Sequence, residues 1–279
     1  MKILVPTDFS RTAFSAYYYA GHLAEALDAE ITLLHVIEGS HYTQRSSQYE
    51  PVYLLLRNAR DRMQFFAEEH PASQRIAIGR KPADYVARFG LPGFTVADYA
   101  RDHDFDLIVM GTLDRHNVLM ERFLGSASST VIQHAPCPTL FIHEQTRYQT
   151  PARMVFAFDR HGDLSGPVTD FHRLNQLLGA KTDFVHVQLN QEEQALYRSM
   201  DHILEGLFEK DDPDYSFEIK SLEGDSLVDT LLDYCLFEKA DWLVMVHRKH
   251  GLIHRFFNRS VSMRVAEGIH LPVLVIPEK

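Results

Sequence analysis

Two aspartates follow short apolar segments, at positions where side chains that perform chemistry often lie. Asp8 follows the segment Lys2–Thr7, and Asp159 follows Arg153–Phe158. Such a carboxylate is a candidate general base or magnesium ligand, or it caps the helix or turn that comes next. Ligands of open α/β sheets bind outside the carboxyl ends of the strands. This leaves a ligand-facing role for Asp8, whereas capping is the favoured interpretation for Asp159.

The histidines raise the question of a metal site, because the chain has 16 of them. His247, His250 and His254 are spaced three and four positions apart, but no carboxylate or thiolate stands beside them. A structural zinc site needs four clustered ligands. His35 and His186 lie within apolar segments, where a hydrogen-bonded core histidine is the commoner outcome. We therefore predict no metal site.

The familiar hydrolytic motifs do not occur in the sequence. It contains no Gly-x-Ser-x-Gly elbow, no Gly-x-x-x-x-Gly-Lys-Ser/Thr phosphate loop and no His-Glu-x-x-His pair. Gly125 and Ser126 lack the preceding strand that a nucleophile elbow requires. Cys137, between two prolines, and Cys235 have apolar neighbours, as inert packed thiols do. We predict no catalytic residue.

The elements that must position these residues occur twice along the chain. Asp8 and Asp159 are 151 positions apart, and so are His35 and His186. Farther along, the separation falls to 135 and then 134, for Asp106 with Asp241 and for Pro138 with Pro272. A separation that drops once by about sixteen indicates a duplicated domain with one deletion in the second copy.

Each copy alternates apolar segments of strand length with segments of helical spacing. One helical face in the first copy contains Val52, Leu55, Leu56, Ala59, Met63 and Phe66. Strands without polar alternation are buried on both sides, and helical crossovers cover them. The sequence predicts an α/β fold of two tandem, doubly wound, parallel sheets with about five strands each. The predicted domains are residues 1–146 and 151–279, joined by a linker within residues 144–152.

Composition narrows the classes of partner and the compartment. The 279 residues are 45% hydrophobic, and the formal net charge is −10. A polyanion would be repelled, so we expect no nucleic-acid partner. Two cysteines in a chain of this length favour a reducing compartment. With no leader pattern and no apolar run of about 20 residues, we expect a cytoplasmic protein without a membrane partner.

Three stretches together resemble the universal stress protein family. They are Val5–Ser10, Asp106–Thr112, and Leu124–Ser126 followed by His134–Pro138. The resemblance spans residues 1–143, and a weaker version spans 153–277. It implies five parallel strands per domain with helices on both faces. It also implies that the two domains pair through their last strands, residues 139–142 against 273–276. A homodimer and an unknown protein partner are further expectations.

The resemblance also implies a nucleotide site in the first domain. In the ATP-binding members a glycine-rich loop follows the fourth strand, where backbone N–H groups and a helix N-terminus hold the phosphates. Asp8 would contact the ribose or adenine, and Val36 the adenine edge. Gly111 would open the phosphate loop. The full set of residues expected to bind ATP or another adenine nucleotide is Pro6, Thr7, Asp8, Val36, Met110, Gly111, Gly125, Ser126 and Ser128.

Both copies depart from the family's loop. In the first, Asp114 replaces the second loop glycine, and one extra residue separates Gly111 from Gly125. An uncompensated carboxylate about 4 Å from a phosphate costs on the order of a few kcal/mol. Either Arg115 offsets part of that charge or Asp114 points outward. In the second copy Val246 replaces the leading glycine, so ATP is not expected there, but the basic residues Arg248, Lys249 and Arg259 leave another anion open.

Taken together, the sequence predicts a tandem stress-response protein that acts as a binding or regulatory module, with the first domain as the candidate for an adenine nucleotide. Two alternatives stay open. One is a slow nucleotide hydrolase in which Asp8 orients a metal or a water. The other is a dimerisation scaffold that binds no nucleotide.

Overall fold

The computed structural model describes residues 1–39, 51–68, 79–112, 126–158, 163–188, 194–209, 211–248 and 271–278. The described residues as far as Tyr148 form one compact unit, unit 1, and those from Gln149 onward form a second, unit 2. Residues 143–152, all of them described, contain no helix or strand. The domain boundaries 1–146 and 151–279, and the pairing of the units through their last strands, remain predictions.

Unit 1 is a doubly wound parallel sheet. Its strands lie in the order β3-β2-β1-β4-β5, and each neighbouring pair is parallel. The elements are β1 (Lys2–Pro6), α1 (Arg11–Leu27), β2 (Glu30–Ile37), α2 (Val52–Glu68), β3 (Asp84–Phe89), α3 (Pro92–Asp102), β4 (Leu107–Gly111), α4 (Ser126–His134) and β5 (Thr139–Ile142). This confirms the predicted five-stranded α/β fold of the first copy.

Unit 2 repeats the same plan. Its strands lie in the order β10-β9-β6-β7-β8, again with parallel pairs. The elements are β6 (Arg153–Phe158), α5 (Ser165–Leu178), β7 (Lys181–Gln188), α6 (Gln194–Leu207), β8 (Phe217–Glu223), α7 (Leu227–Phe237), β9 (Trp242–His247) and β10 (Val273–Pro277). The parallel five-stranded order found in each unit confirms the predicted α/β fold class.

The first helix of each unit ends at the same place in the repeat but starts at a different one. Ser10 caps α1, since its Oγ accepts a hydrogen bond from the Ala13 amide at 3.2 Å. The last residues of α1 and α5, Leu27 and Leu178, are 151 positions apart. However, α1 has 17 residues and α5 has 14. Helix α5 is therefore shorter than α1 by almost one turn at its N-terminus.

The second helix, α2, buries less of its predicted apolar face than the sequence indicates. Its buried residues, Ala59, Met63, Phe66 and Ala67, lie from the middle of the helix to its C-terminus. Val52, predicted on the buried face, is exposed. The helix packs against β2 and β3. Among the described helices, none is long and apolar enough to cross a membrane.

An aspartate before the fourth strand holds the start of the first strand in both units. Asp106 Oδ2 accepts a hydrogen bond from the Lys2 amide at 2.7 Å, and the Asp106 amide donates to the Lys2 carbonyl at 3.0 Å. In unit 2 Asp241 makes the same pair of hydrogen bonds with Arg153, at 2.9 and 2.8 Å. The repeat of Asp106 and Asp241 in the sequence therefore has a structural cause.

Candidate functional site

The candidate site lies where the strand order of unit 1 reverses. Chain connections leave β1 toward β2 on one side and reach β4 from the other, so the carboxyl ends of β1 and β4 form the switch point. Ligands of open α/β sheets bind outside the strand ends at such a point. Pro6 ends β1, Thr7 and Asp8 follow it, and Met110 and Gly111 end β4. The fold therefore brings five of the nine predicted site residues to this edge.

Hydrogen bonds within the turn fix the chain between β1 and α1. The buried Thr7 donates its amide to the Leu34 carbonyl at 2.8 Å and accepts the Phe9 amide on Oγ1 at 3.0 Å. Asp8 Oδ1 accepts the Ser10 amide at 2.9 Å, as in an Asx turn. The Asp8 side chain is exposed. A carboxylate has about four acceptor sites, so the turn leaves Asp8 with capacity for a ligand.

Phe9, next to Asp8, adopts a backbone conformation that is rare for a bulky residue. Its φ is 66°, in the left-handed region that normally favours glycine. The ring lies 4.5 Å from the His35 ring and 5.7 Å from the Phe66 ring, measured between centroids. The Arg62 guanidinium carbon lies 4.2 Å above the Phe9 centroid. Contacts from β2 and α2 therefore hold this strained residue in place.

His35 and His186 make the predicted hydrogen bonds, although both are half-buried and neither is a core residue. His35 Nδ1 lies 2.8 Å from the Thr7 carbonyl, and His186 Nδ1 lies 3.2 Å from the Phe158 carbonyl. Burial, above all, lowers the pKa of His35, and the positive charge of Arg62 lowers it further. The ring is therefore neutral at pH 7, and its Nδ1–H donates to Thr7. In both units a histidine of the second strand thus holds the end of the first.

Gly111 is required by packing. A Cβ on this residue would lie 2.5 Å from the backbone carbon and oxygen of Thr12, in the first turn of α1. Every larger residue would collide there unless α1 moved. The sequence alone suggested only that Gly111 lets phosphates approach. The structure adds that it lets the end of β4 approach the start of α1.

The remaining predicted residues lie on the α3–α4 side of the sheet or outside the described part. Val36 and Met110 pack against a core cluster that contains Val96 of α3 and Val131 of α4. Ser128 is buried, and its Oγ lies 3.8 Å from the Met110 sulfur. Ser126 is the first residue of α4, and Gly125 lies outside the described residues. Asp114, Arg115 and Asp159 also lie outside them.

The corresponding edge of unit 2 is occupied by its own charged side chains. Val246 stands where Gly111 stands in unit 1, and it is buried. Arg248 follows β9, and only 9% of its side chain is exposed. Its Nη2 donates to the Asp163 carbonyl at 2.8 Å, and its Nε lies 3.0 Å from Glu278 Oε1. Two hydrogen bonds from Ser165 lower the pKa of Asp163, which is therefore ionised at pH 7.

Of the three basic residues that the sequence offered for another anion, only Arg248 lies within the described part of the chain; Lys249 and Arg259 do not. Its guanidinium already contacts two acceptors of unit 2. His250 and His254 also lie outside the described residues. Among the residues that are described, no three His, Cys, Asp or Glu side chains are grouped to hold a metal ion.

Sequence reasoning missed a buried ionic cluster toward the amino ends of the strands in unit 2. Asp183 has no exposed surface, and its Oδ2 accepts hydrogen bonds from Arg153 Nη2 at 2.6 Å and from the Tyr234 hydroxyl at 2.9 Å. Lys220 Nζ lies 3.5 Å from Asp183 Oδ1, and Arg153 also pairs with Glu238 at 2.6 Å. The separation of these residues in sequence leaves no local pattern that would have revealed the cluster.

Comparisons with known proteins agree with the duplication. The model of the universal stress protein family matches residues 1–143 and again 163–277. A universal stress protein of Methanocaldococcus jannaschii is 29% identical over 148 residues, which cover 50% of this chain and 81% of that protein. A putative universal stress protein of Staphylococcus epidermidis is 33% identical over 149 residues, which cover 52% of this chain and 84% of the relative.

A solved structure resembles this chain along its whole length. The crystal structure of a universal stress protein from Archaeoglobus fulgidus covers 100% of this chain and 98% of its own, with a TM-score of 0.65 and 18% identity. At that identity the likeness supports the fold alone. The assignment to a family rests on the family model, which matches both copies along most of their length. The chain belongs to the universal stress protein family and carries two copies of its domain.

Proposed function

We propose that the chain is a stress-response binding module whose unit 1 binds an adenine nucleotide at the carboxyl ends of β1 and β4. One observation carries the proposal: the exposed carboxylate of Asp8, just after β1, and the close approach at Gly111, the last residue of β4, both lie at the switch point. A ribose or adenine offers hydroxyl and amino donors, which a carboxylate accepts.

The start of α4 supports the same proposal. Ser126 begins the helix, and helix N-termini favour phosphate groups because their amide groups lack partners within the helix. Ser128 and Met110 pack together just behind that start. The phosphates would therefore lie between the end of β4 and α4, with the nucleoside toward Asp8 and Val36.

A direct binding experiment tests the proposal. The full chain is titrated with ATP and magnesium by calorimetry, and mass spectrometry of the denatured protein shows whether a nucleotide co-purifies. We expect Asp8→Ala to weaken ATP binding about tenfold or more, because a hydrogen bond to a charged acceptor contributes about 1.5–3 kcal/mol. Asp102→Ala is the control, since Asp102 is exposed at the far end of α3, away from the strands' carboxyl ends.

Two outcomes would contradict the proposal. Absence of heat and of a thermal shift at millimolar ATP would leave a scaffold that binds no nucleotide. Equal loss in Asp8→Ala and Asp102→Ala would place the nucleotide elsewhere. Phosphate release is followed in the same samples, and release that persists in Asp8→Ala would exclude the role of Asp8 in a hydrolase.

A further inference from the structure

The strained residue Phe9 lies in the turn that presents Asp8. An aromatic residue with a φ of 66° persists only when its surroundings determine it strongly. Within the turn, the Phe9 amide donates to Thr7 Oγ1, and the next amide, Ser10, donates to Asp8 Oδ1. The direction of the Asp8 carboxylate is therefore tied to the conformation of Phe9.

The contact that covers Phe9 comes from a distant part of the chain. Arg62, on α2, places its guanidinium 4.2 Å above the ring, within the range of a cation–π interaction. The ring also meets Phe66 of the same helix and His35 of β2. Arg62 itself is exposed, so its substitution removes no core packing. Among these three residues that contact Phe9, the exposed one is thus Arg62, a cation.

We propose that Arg62 is a positioning residue of the nucleotide site, which holds Phe9 in its strained conformation and thereby fixes Asp8 for the ligand. The inference rests on the proposed function of unit 1. Without the cation, Phe9 is freer to return to an ordinary φ. The Ser10 amide then leaves Asp8 Oδ1, and the carboxylate loses its direction.

His35 provides a spectroscopic reporter of the Arg62 charge, because the guanidinium lies close enough to affect the pKa of its ring. Burial lowers the pKa of His35 most, the hydrogen bond to Thr7 raises it, the charge of Arg62 lowers it, and that of Asp8 raises it. Removal of the Arg62 charge should therefore raise the pKa of His35. The titration of its ring protons by NMR measures that change.

Calorimetry with ATP and magnesium on the full chain tests the role in binding. We expect Arg62→Met to weaken ATP binding about two- to fivefold, the range of an exposed cation–π contact, and Arg62→Lys to restore most of it. Arg60→Met is the matched control, an exposed arginine on the same helix. In the Asp8→Ala background, Arg62→Met should cause no further loss, because it acts through Asp8. Amide exchange of Ser10 should be faster in Arg62→Met.

The outcomes separate this inference from the proposed function. If the wild type binds ATP but Arg62→Met binds it equally well, Arg62 has no positioning role and the proposed function stands. If Arg62→Met weakens binding by the same factor with and without Asp8, the effect does not pass through that carboxylate and the inference is wrong. Unchanged exchange at Ser10 would overturn it as well. If the wild type does not bind ATP, the proposed function fails and the positioning role fails with it.

Discussion

The carboxyl ends of the first and fourth strands are built differently in the two units. In unit 1, Gly111 brings the end of β4 against the first turn of α1, and Asp8 is exposed beside it. In unit 2, the residue at the equivalent position is Val246, and α5 does not begin until Ser165. The shorter helix lets the fourth strand carry a β-branched side chain at this point.

The same difference extends to charge. Arg248 in unit 2 contacts the Asp163 carbonyl and Glu278, both within its own unit. Unit 1 instead turns a carboxylate outward at its corresponding edge. One ancestral plan has thus produced an edge suited to a ligand and an edge held by internal contacts. The comparison teaches that the residue near the end of the fourth strand and the start of the first helix together decide which of these an α/β edge becomes.

The largest effect is expected at the amino ends of the strands, where the units also differ. Asp183 is fully buried among Arg153, Lys220 and Tyr234, whereas the equivalent residue of unit 1 is Thr32. Breaking a buried ion pair typically costs about 3–5 kcal/mol. Arg153 and Lys220 are partly exposed and keep Glu238 and Glu218 as partners, so we expect Asp183→Ala to cost about 3 kcal/mol, at the lower end of that range. Trp242, the single tryptophan, is buried in β9 and reports on unit 2. We expect its fluorescence transition in urea to shift to lower concentrations.

Two controls accompany Asp183→Ala. Thr32→Ala in unit 1 should leave the Trp242 transition unchanged. Glu218→Gln changes an exposed member of the same charge network, and its effect should be much smaller. If Asp183→Ala unfolds at the wild-type urea concentration, the cluster does not stabilise unit 2.

Much of the fold could be predicted from the sequence because it depends on local and repeated patterns. The separation of 151 positions located the first two strands of each copy, and His35 and His186 make the hydrogen bonds expected of them. Asp106 and Asp241 were visible as a repeat, although their role in holding the first strand was not. The periodicity of hydrophobic residues and the internal repeat predict the type and order of the helices and strands well.

The site was less predictable because its decisive contacts are distant in sequence. Arg62 lies 53 positions from Phe9, and Arg248 lies 85 positions from Asp163. No periodicity links such residues. The role of Gly111 in packing depended on where α1 starts, a boundary that helix patterns fix only loosely. The motifs shared with the family therefore indicated which edge of the sheet is the candidate site. The contacts that shape this edge could be found only in the structure.

A second prediction changes Gly111 in unit 1 and Val246 in unit 2, the residues that distinguish the carboxyl-end edges of the two units. Gly111→Val places a side chain 2.5 Å from the Thr12 backbone, and we expect a loss of about 1–3 kcal/mol from overpacking. Circular dichroism should record the loss while the Trp242 transition stays in place. Val246→Ala in unit 2 is the counterpart, because it removes buried methyl groups without any collision and should shift the Trp242 transition only. Full tolerance of Gly111→Val would mean that α1 adjusts freely and that the comparison of helix starts is wrong.

The smallest loss of stability is expected when Arg248 is replaced, a variant that tests whether this residue stabilises the carboxyl-end edge of unit 2. Arg248→Met keeps most of the buried stem but removes the hydrogen bond to the Asp163 carbonyl and the ion pair with Glu278. A lost hydrogen bond from a charged donor costs about 1.5–3 kcal/mol, and replacement by an apolar group of similar shape recovers part of it, so about 1 kcal/mol is expected. The Trp242 transition measures the change. Glu278→Gln removes only the ion pair, which is partly exposed, and should cost less. Equal costs for the two variants would assign the stabilisation to the ion pair, and the contact with Asp163 would then contribute nothing to the edge.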